Sequence, residues 1–349
     1  MKTEILSVSV FDEDFDKKIN FAADIIKSGG LVVFPTETVY GLGADATNPE
    51  AARSIYTAKG RPSDNPLIIH IAKPADAEKY TFTNEIYYKL AERFMPGPLT
   101  VILKAKDNIP LATRAGLDTV AVRCPENKIA RTLIESSGVP VAAPSANLSG
   151  TPSPTTAQHV IDDMLGRVDM IIDGGECEFG LESTIVKIDV SGEITLLRPG
   201  KITLEELAEV SDKINVANAV TDKLKEGETA VSPGMKYRHY APKSELLLID
   251  GNVQDVVSYI KNEASRRIAV IAYEEDFEYF SKSLPNARCY TFGKKEDEKT
   301  QAHLLFSILR EADKENFEII YAPLPKKHGI GLALYNRMIR AAAHKIIKL

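Results

Sequence analysis

Within residues 58–71, AKGRPSDNPLIIHI, Lys59 and Arg61 stand beside a Gly-Arg-Pro turn, an Asn-Pro turn follows, and a strand-like apolar run carries His70. Pro62 and Pro66 stiffen the loop, so the two cations are held in place, which suits a polyanion. Other loops dense in Ser, Thr, Asn and Gly follow apolar runs: PTETVYGLG after 31–35, PSANLSGTPSPTT after VPVAA, and GLEST after IIDGGECEF; RPGK follows EITLL. Ligands of open α/β sheets sit where loops gather beyond strand ends, and such loops offer hydroxyls and backbone N–H groups. With Arg123 and Arg198 they describe a concave cationic pocket suited to a triphosphate. Singly, a Lys or Arg also reads as a solvated surface charge. Arg123 ends an apolar strand and Arg198 lies between Leu-Leu and a Pro-Gly turn; both are strand-end anchors or edge charges. Alternation in PLIIHI puts Leu67, Ile69 and Ile71 on one face and Ile68 and His70 on the other, which by itself reads His70 as a half-exposed strand histidine.

Several chemistries are set aside. Gly41-Leu42-Gly43-Ala44-Asp45-Ala46 matches G-x-G-x-x-G/A, but polar TETVY precedes it and the next helix begins only at Asn48-Pro49. A true fingerprint leaves its strand and opens the helix directly, so these glycines read as turn formers and a nicotinamide oxidoreductase as a remote alternative. No G-x-x-x-x-G-K-[ST] phosphate loop occurs. Cys124, Cys177 and Cys289 lie far apart, as expected of reduced thiols rather than a disulfide frame or zinc site. A net charge of −6 argues against wrapping nucleic acid with the whole surface. The first residues, MKTEILSVSVFDED, resemble neither a signal nor a transit peptide, and no run is long enough to span a bilayer, so the expected location is the cytoplasm.

The elements that must position these residues follow from periodicity. LVVFP reads as a buried strand and NPEAARSIYTAKG as a helix with Asn48 as N-cap, Pro49 in the first turn and Gly60 at the end. Strands are expected at PLIIHI, LTVILKA, TVAVRCP, VPVAAP, MIIDGG, STIVKID and EITLLRPG, with helices around 84–94, 126–137 and 156–165. The chain of 349 residues exceeds a comfortable single core. The expected organisation is an α/β domain over 1–210 with a twisted open mixed sheet, a polar linker over 211–244, and a smaller Rossmann-like α/β domain over 245–349 with four strands alternating with four helices.

FPTETVYGLGADA, KGRPSDNPLIIHI, PGPLTVIL, VAVRCP and PVAAPSANLSGTPSPT together resemble the YrdC-like threonylcarbamoyl-AMP synthase family, and SPGMKYRHYAP with the C-terminal domain resembles its two-domain branch. The resemblance covers essentially the whole chain. It implies synthesis of threonylcarbamoyl-AMP from L-threonine, bicarbonate or carbon dioxide, and ATP with Mg2+, releasing pyrophosphate. The product would feed a tRNA-modifying threonylcarbamoyl transferase complex that makes t6A at adenosine 37.

By resemblance, Lys59 and Arg61 with Ser145 and Asn147 are the K-x-R and S-x-N signature around phosphates and carbamate. Asn65, Thr119, Ser153, Arg198 and Tyr237 fall at ATP positions, and Thr38, His70, Arg123, Ala143 and Ser183 at threonine positions. Residues 232–242, SPGMKYRHYAP, bracket Tyr237, Arg238 and His239 between Pro-Gly and Ala-Pro, and read as a lid that stacks on adenine and excludes water. The alternative function is a double-stranded RNA- or tRNA-binding protein without turnover, for which NRMIRAAAHKIIKL supplies a basic C-terminal helix.

Overall fold

The computed structural model describes residues 2–222, 239–262 and 266–349. These divide into two compact units, 2–149 with 153–222, and 150–152 with 239–349.

The first unit runs β1 (Glu4–Ser7), α1 (Phe15–Lys27), β2 (Val32–Phe34), β3 (Gly41–Asp45), α2 (Pro49–Lys59), β4 (Ile68–His70) and β5 (Thr81–Phe82). It continues with α3 (Glu85–Phe94), β6 (Leu99–Ala105), α4 (Leu111–Arg114), β7 (Thr119–Arg123), α5 (Lys128–Ser137) and β8 (Val141–Ala142). Then come α6 (Ala157–Met164), β9 (Met170–Asp173), β10 (Thr184–Ile188), β11 (Ile194–Arg198), α7 (Leu204–Ala208) and β12 (Ile214–Val216). The strands form one mixed sheet in the order β1-β9-β2-β3-β8-β4-β7-β6-β10-β11-β12, with β5 against β6. Phe15, Ile19 and Ile26 of α1 and Ile129 and Leu133 of α5 pack on Val32, Phe34, Met170 and Ile172 of the sheet. Helical spacing of these residues gives each helix its single apolar face.

Local signals explain the elements flanking the cationic loop. Asn48 accepts hydrogen bonds from Glu50 and Ala51 N–H, Pro49 opens α2, and Gly60 closes it at φ 60°. The left-handed Gly60 turns the chain sharply after Lys59. Gly41 and Gly43 lie inside β3, antiparallel to β2, rather than in a strand–helix turn. A Cβ on Gly43 would lie 2.6 Å from Phe34 Cε1 and 2.9 Å from Val141 Cγ1, so close packing explains the glycine there.

The second unit contains β13 (Glu245–Asp250), α8 (Val253–Lys261), β14 (Ile268–Ala272), α9 (Glu274–Ser283), β15 (Arg288–Thr291), α10 (Glu298–Lys314), β16 (Ile319–Pro323), α11 (Gly329–Ala341) and β17 (Ile346–Lys348). All pairings are parallel and the order is β15-β14-β16-β13-β17. Two expectations change. The stretch read as linker from 211 contains β12, whose Ile214 and Val216 pair with Ile194 and Leu196 of β11. The basic C-terminal helix ends at Ala341: Ala343 and His344 take φ 50° and 65°, and β-branched Ile346 and Ile347 start a fifth strand. Its arginines are not a solvent face either, since Arg337 and Arg340 are buried and Arg337 lies 5.6 Å over the Tyr240 ring.

Candidate active site

Lys59 is the last residue of α2 and is only 3% exposed. Its Nζ donates to the carbonyls of Ser145 and, at 2.7 Å, Asn147, and lies 3.4 Å from Asn147 Oδ1. Ser145 Oγ donates to the same Asn147 oxygen at 2.6 Å. The Lys59 ammonium thus gathers Ser145 and Asn147, 86 and 88 residues further on. Arg61, two residues past α2, curls its guanidinium back to the carbonyls of Asn65 and Pro66, each at 3.2 Å. Asn65 Oδ1 is buried and has no hydrogen-bond partner among the described residues.

Strand register sets where the other residues fall. β4 and β7 run parallel with Ile68 opposite Ala121 and His70 opposite Arg123. Continued backward, this register brings Thr119 alongside Pro66. Asn65 and Thr119 therefore mark the amino ends of the strand pair, and His70 and Arg123 its carboxyl ends, about 13 Å further along at the usual rise. β8 crosses antiparallel, with Val141 opposite His70 and the Ala143 N–H bonded to Ile68 O at 2.9 Å. Ser145 then falls toward the amino end, and Ala143 lies between the two groups.

At the carboxyl end Arg123 Nη2 donates to Thr38 Oγ1 at 2.9 Å and to Glu37 Oε1 at 2.6 Å. Glu37 Oε2 accepts from Glu126 N–H at 3.1 Å and Asn127 N–H at 3.4 Å. Arg123 Nε is buried without a hydrogen-bond partner among the described residues. His70 is 2% exposed, not half-exposed, because every residue of β4 is covered. Its Nδ1 lies 3.3 Å from Val141 O, an acceptor that the Nδ1–H tautomer satisfies. Burial, reinforced by the Arg123 charge, depresses its pKa to about 3, so the ring is neutral at physiological pH.

Ser183 and Arg198 form a third group. Arg198 Nε donates to Ser183 O at 3.0 Å and Nη2 to Ser183 Oγ at 3.1 Å; Ser183 Oγ also pairs with Thr100 Oγ1 at 2.8 Å. Arg198 is therefore a buried anchor. Ser153 Oγ donates to the buried Glu182 carboxylate, next in sequence to Ser183. Tyr237 and Arg238 lie outside the described residues. His239 is half-buried, with its ring 5.6 Å from that of Tyr240. Sequence reasoning missed Glu37, Glu182 and Thr100; the available signal was a carboxylate or hydroxyl next to an expected contact residue, as in Glu37-Thr38 and Glu182-Ser183.

The fold and site define a class: a mixed-sheet α/β unit in which a cationic loop marks the amino end of a central strand pair and a buried guanidinium its carboxyl end, followed by an all-parallel second unit. Residues 24–200 match the Sua5/YciO/YrdC family model, described as telomere recombination, and residues 202–343 match the model described as the threonylcarbamoyl-AMP synthase C-terminal domain. The chain is 43% identical over 341 residues to the threonylcarbamoyl-AMP synthase of Pyrococcus abyssi, covering 95% of this chain and 96% of that one. It is 42% identical over 355 residues to that of Bacillus subtilis, covering both chains fully. It is also similar to the crystal structure of P. abyssi Sua5 complexed with L-threonine, with TM-score 0.88, 41% identity and 99% coverage of each chain. The chain belongs to the two-domain branch of the threonylcarbamoyl-AMP synthase family.

Proposed function

We propose that this protein makes threonylcarbamoyl-AMP and pyrophosphate from L-threonine, bicarbonate or carbon dioxide, and ATP. The observation that carries the reading is the convergence of Ser145 and Asn147 on the buried Lys59 ammonium, beside the Arg61 loop. The threonine amine captures carbon dioxide to give a carbamate. A carbamate oxygen then forms the bond to the α-phosphorus as the bond from that phosphorus to the bridging β-phosphate oxygen breaks. Neither step needs a protein nucleophile. The protein's part is to hold the anions together and stabilise charge on the transferring phosphorus.

In this reading Lys59, Arg61, Ser145 and Asn147 surround phosphates and carbamate, with Asn65, Thr119, Ser153 and Arg198 around the nucleotide. Arg123 takes the threonine carboxylate, and Thr38 and Ser183 lie near its hydroxyl. His70, donating from Nδ1 to Val141, keeps the Nε2 lone pair as an acceptor for the substrate nitrogen. Among the described residues no group of three or more His, Cys, Asp or Glu converges. Mg2+ would come bound to the ATP phosphates, where it would neutralise charge on the polyphosphate. The downstream consumer is a transferase that moves the threonylcarbamoyl group to tRNA. No helix of the described residues is long and apolar enough to cross a membrane.

The test is pyrophosphate release with threonine and bicarbonate each omitted in turn. Release should require both; equal release without threonine refutes the mechanism. Salt-sensitive RNA binding without ATP turnover would favour the binding-protein alternative.

A further inference from the structure

The second unit contains a cavity of about 580 Å³ that the catalytic reading does not use. Its position follows from topology. From β14 the chain moves outward to β15, whereas from β16 it returns across the sheet to β17, so these neighbouring strands feed connections in opposite directions. α8 packs with α9, and α10 with α11, as expected when the two helix pairs cover opposite faces. A crevice therefore opens beyond the carboxyl ends of β14 and β16, the place where parallel sheets bind ligands. The cavity lies there, floored by Ile249, Ala272, Tyr321 and Ala322. Its volume is within the usual range of small-molecule sites.

Three features restrict the ligand. The first strand–helix turn, Asp250-Gly251-Asn252, has one glycine, and Asn252 caps α8 with its own side chain, accepting from Asp255 N–H. That turn is not built to let a pyrophosphate approach. At the start of α11, Glu298 Oε2 accepts the Gly331 N–H at 2.8 Å. A Cβ at Gly331 would stand 2.8 Å from Glu298 Oε1, so the glycine lets the carboxylate in where an anionic ligand would otherwise bind. Of the two lysines that line the cavity, Lys326 is paired with Glu296 at 2.6 Å and Lys295 lies 5.9 Å over the Tyr273 ring, against the carboxylates of Asp250, Asp276 and Glu298. Phosphate is thus disfavoured.

The wall from α9 is aromatic and acidic. Tyr273, Asp276, Tyr279 and Phe280 line the cavity, the last three at helical spacing that shares a face. Tyr273 stacks on Phe292, with centroids 6.1 Å apart, and carries Lys295 Nζ 5.9 Å over its ring, whereas Tyr279 is 44% exposed and offers ring surface to a flat ligand. Burial, with the neighbouring Glu298 and Asp276 carboxylates, raises the Tyr273 pKa to about 12, leaving a neutral hydroxyl in a negative field. Carboxylates beside an aromatic wall suit a ring compound that brings hydroxyl or amino donors and no phosphate.

We propose that this cavity is a binding site for an uncharged nucleoside-class ligand, its base against Tyr279 and its hydroxyls donating to Glu298 and Asp276.

The test is equilibrium dialysis of radiolabelled adenosine against the full-length chain, with excess α,β-methylene-ATP present to occupy nucleotide sites. AMP serves as the anionic control. The expected result is one adenosine retained per chain and AMP at least about tenfold weaker, a gap of about 1.4 kcal/mol. Tyr279→Ser, at an exposed position that folding tolerates, and Ala322→Phe, which fills the floor, should each lose about tenfold or more of the adenosine affinity. Glu298→Gln should narrow the gap between adenosine and AMP. The proposal is overturned by no adenosine retention above background, by AMP binding as tightly as adenosine, or by retention that Tyr279→Ser leaves unchanged.

Discussion

Glu37 and Arg123 form a buried ion pair, Oε1 to Nη2 2.6 Å apart, with both side chains about 5% exposed. Two backbone N–H groups hold the second carboxylate oxygen, so Glu37 is fixed from behind and in turn fixes the guanidinium. Glu37 is a positioning residue: it sets where Arg123 points.

Glu37→Gln removes the charge and keeps the shape. Removing one partner of a buried pair leaves the other uncompensated, a loss of about 3–5 kcal/mol of stability. Because Arg123 is assigned to the threonine carboxylate, KM for threonine should rise about tenfold or more, with KM for ATP little changed. Steady-state kinetics with each substrate varied separates these effects. An equal rise in both constants would mean that Glu37 only holds the fold.

Lys59 and Arg61 should differ despite their shared motif. Lys59 Nζ ties the Ser145 and Asn147 carbonyls together from a buried position, so Lys59→Ala should lower both stability and turnover. Arg61 rests on loop carbonyls, and Arg61→Ala should leave thermal stability near wild type while costing about 3 kcal/mol of barrier, on the order of a hundredfold in kcat. Wild-type turnover in Arg61→Ala would make that residue a surface charge.

Much of this site is legible in the sequence because its signals are local. Asn48, Pro49 and Gly60 bound α2 within one stretch, and Lys59 and Arg61 stand out as cations in a proline-bounded loop, whereas Ser145 and Asn147 are singled out only by the family resemblance. Glu37 does not, since a carboxylate in a polar loop looks solvated until a strand 86 residues later brings Arg123 to it. β12 escapes for a related reason: three residues, two of them exposed, carry too little alternation to register. β17 is masked by the helix before it, which ends through left-handed backbone at Ala343 and His344 that sequence does not advertise.

Gly43 gives a test of the packing account. Gly43→Ala would put a methyl 2.6 Å from the Phe34 ring and 2.9 Å from Val141, and overpacking of this kind costs about 1–3 kcal/mol. A lower denaturation midpoint is expected, with no change in ATP affinity at folding-permissive temperature. Selective loss of nucleotide binding at unchanged stability would revive the nucleotide-fingerprint reading of Gly41 and Gly43.

The neutrality of His70 has a pH signature. Its pKa is depressed from 6.5 in the unfolded chain to about 3 in the fold, by burial first and by the Arg123 charge second. Between those values the unfolded state binds the extra proton, so stability rises with pH through that window and is fully present above about 6.5. Acidifying from pH 6.5 to 5 should therefore remove about 2 kcal/mol through this group alone. His70→Asn keeps a donor for Val141 O but has no group that titrates there, so its urea midpoint should fall less over the same interval. Threonine binding to the wild type should show no inflection near pH 6.5, because the ring is already neutral on both sides of that value. Parallel acid losses in the two proteins, or a binding inflection near 6.5, would mean that His70 takes up a second ring proton in the folded state and cannot offer Nε2 to the substrate nitrogen.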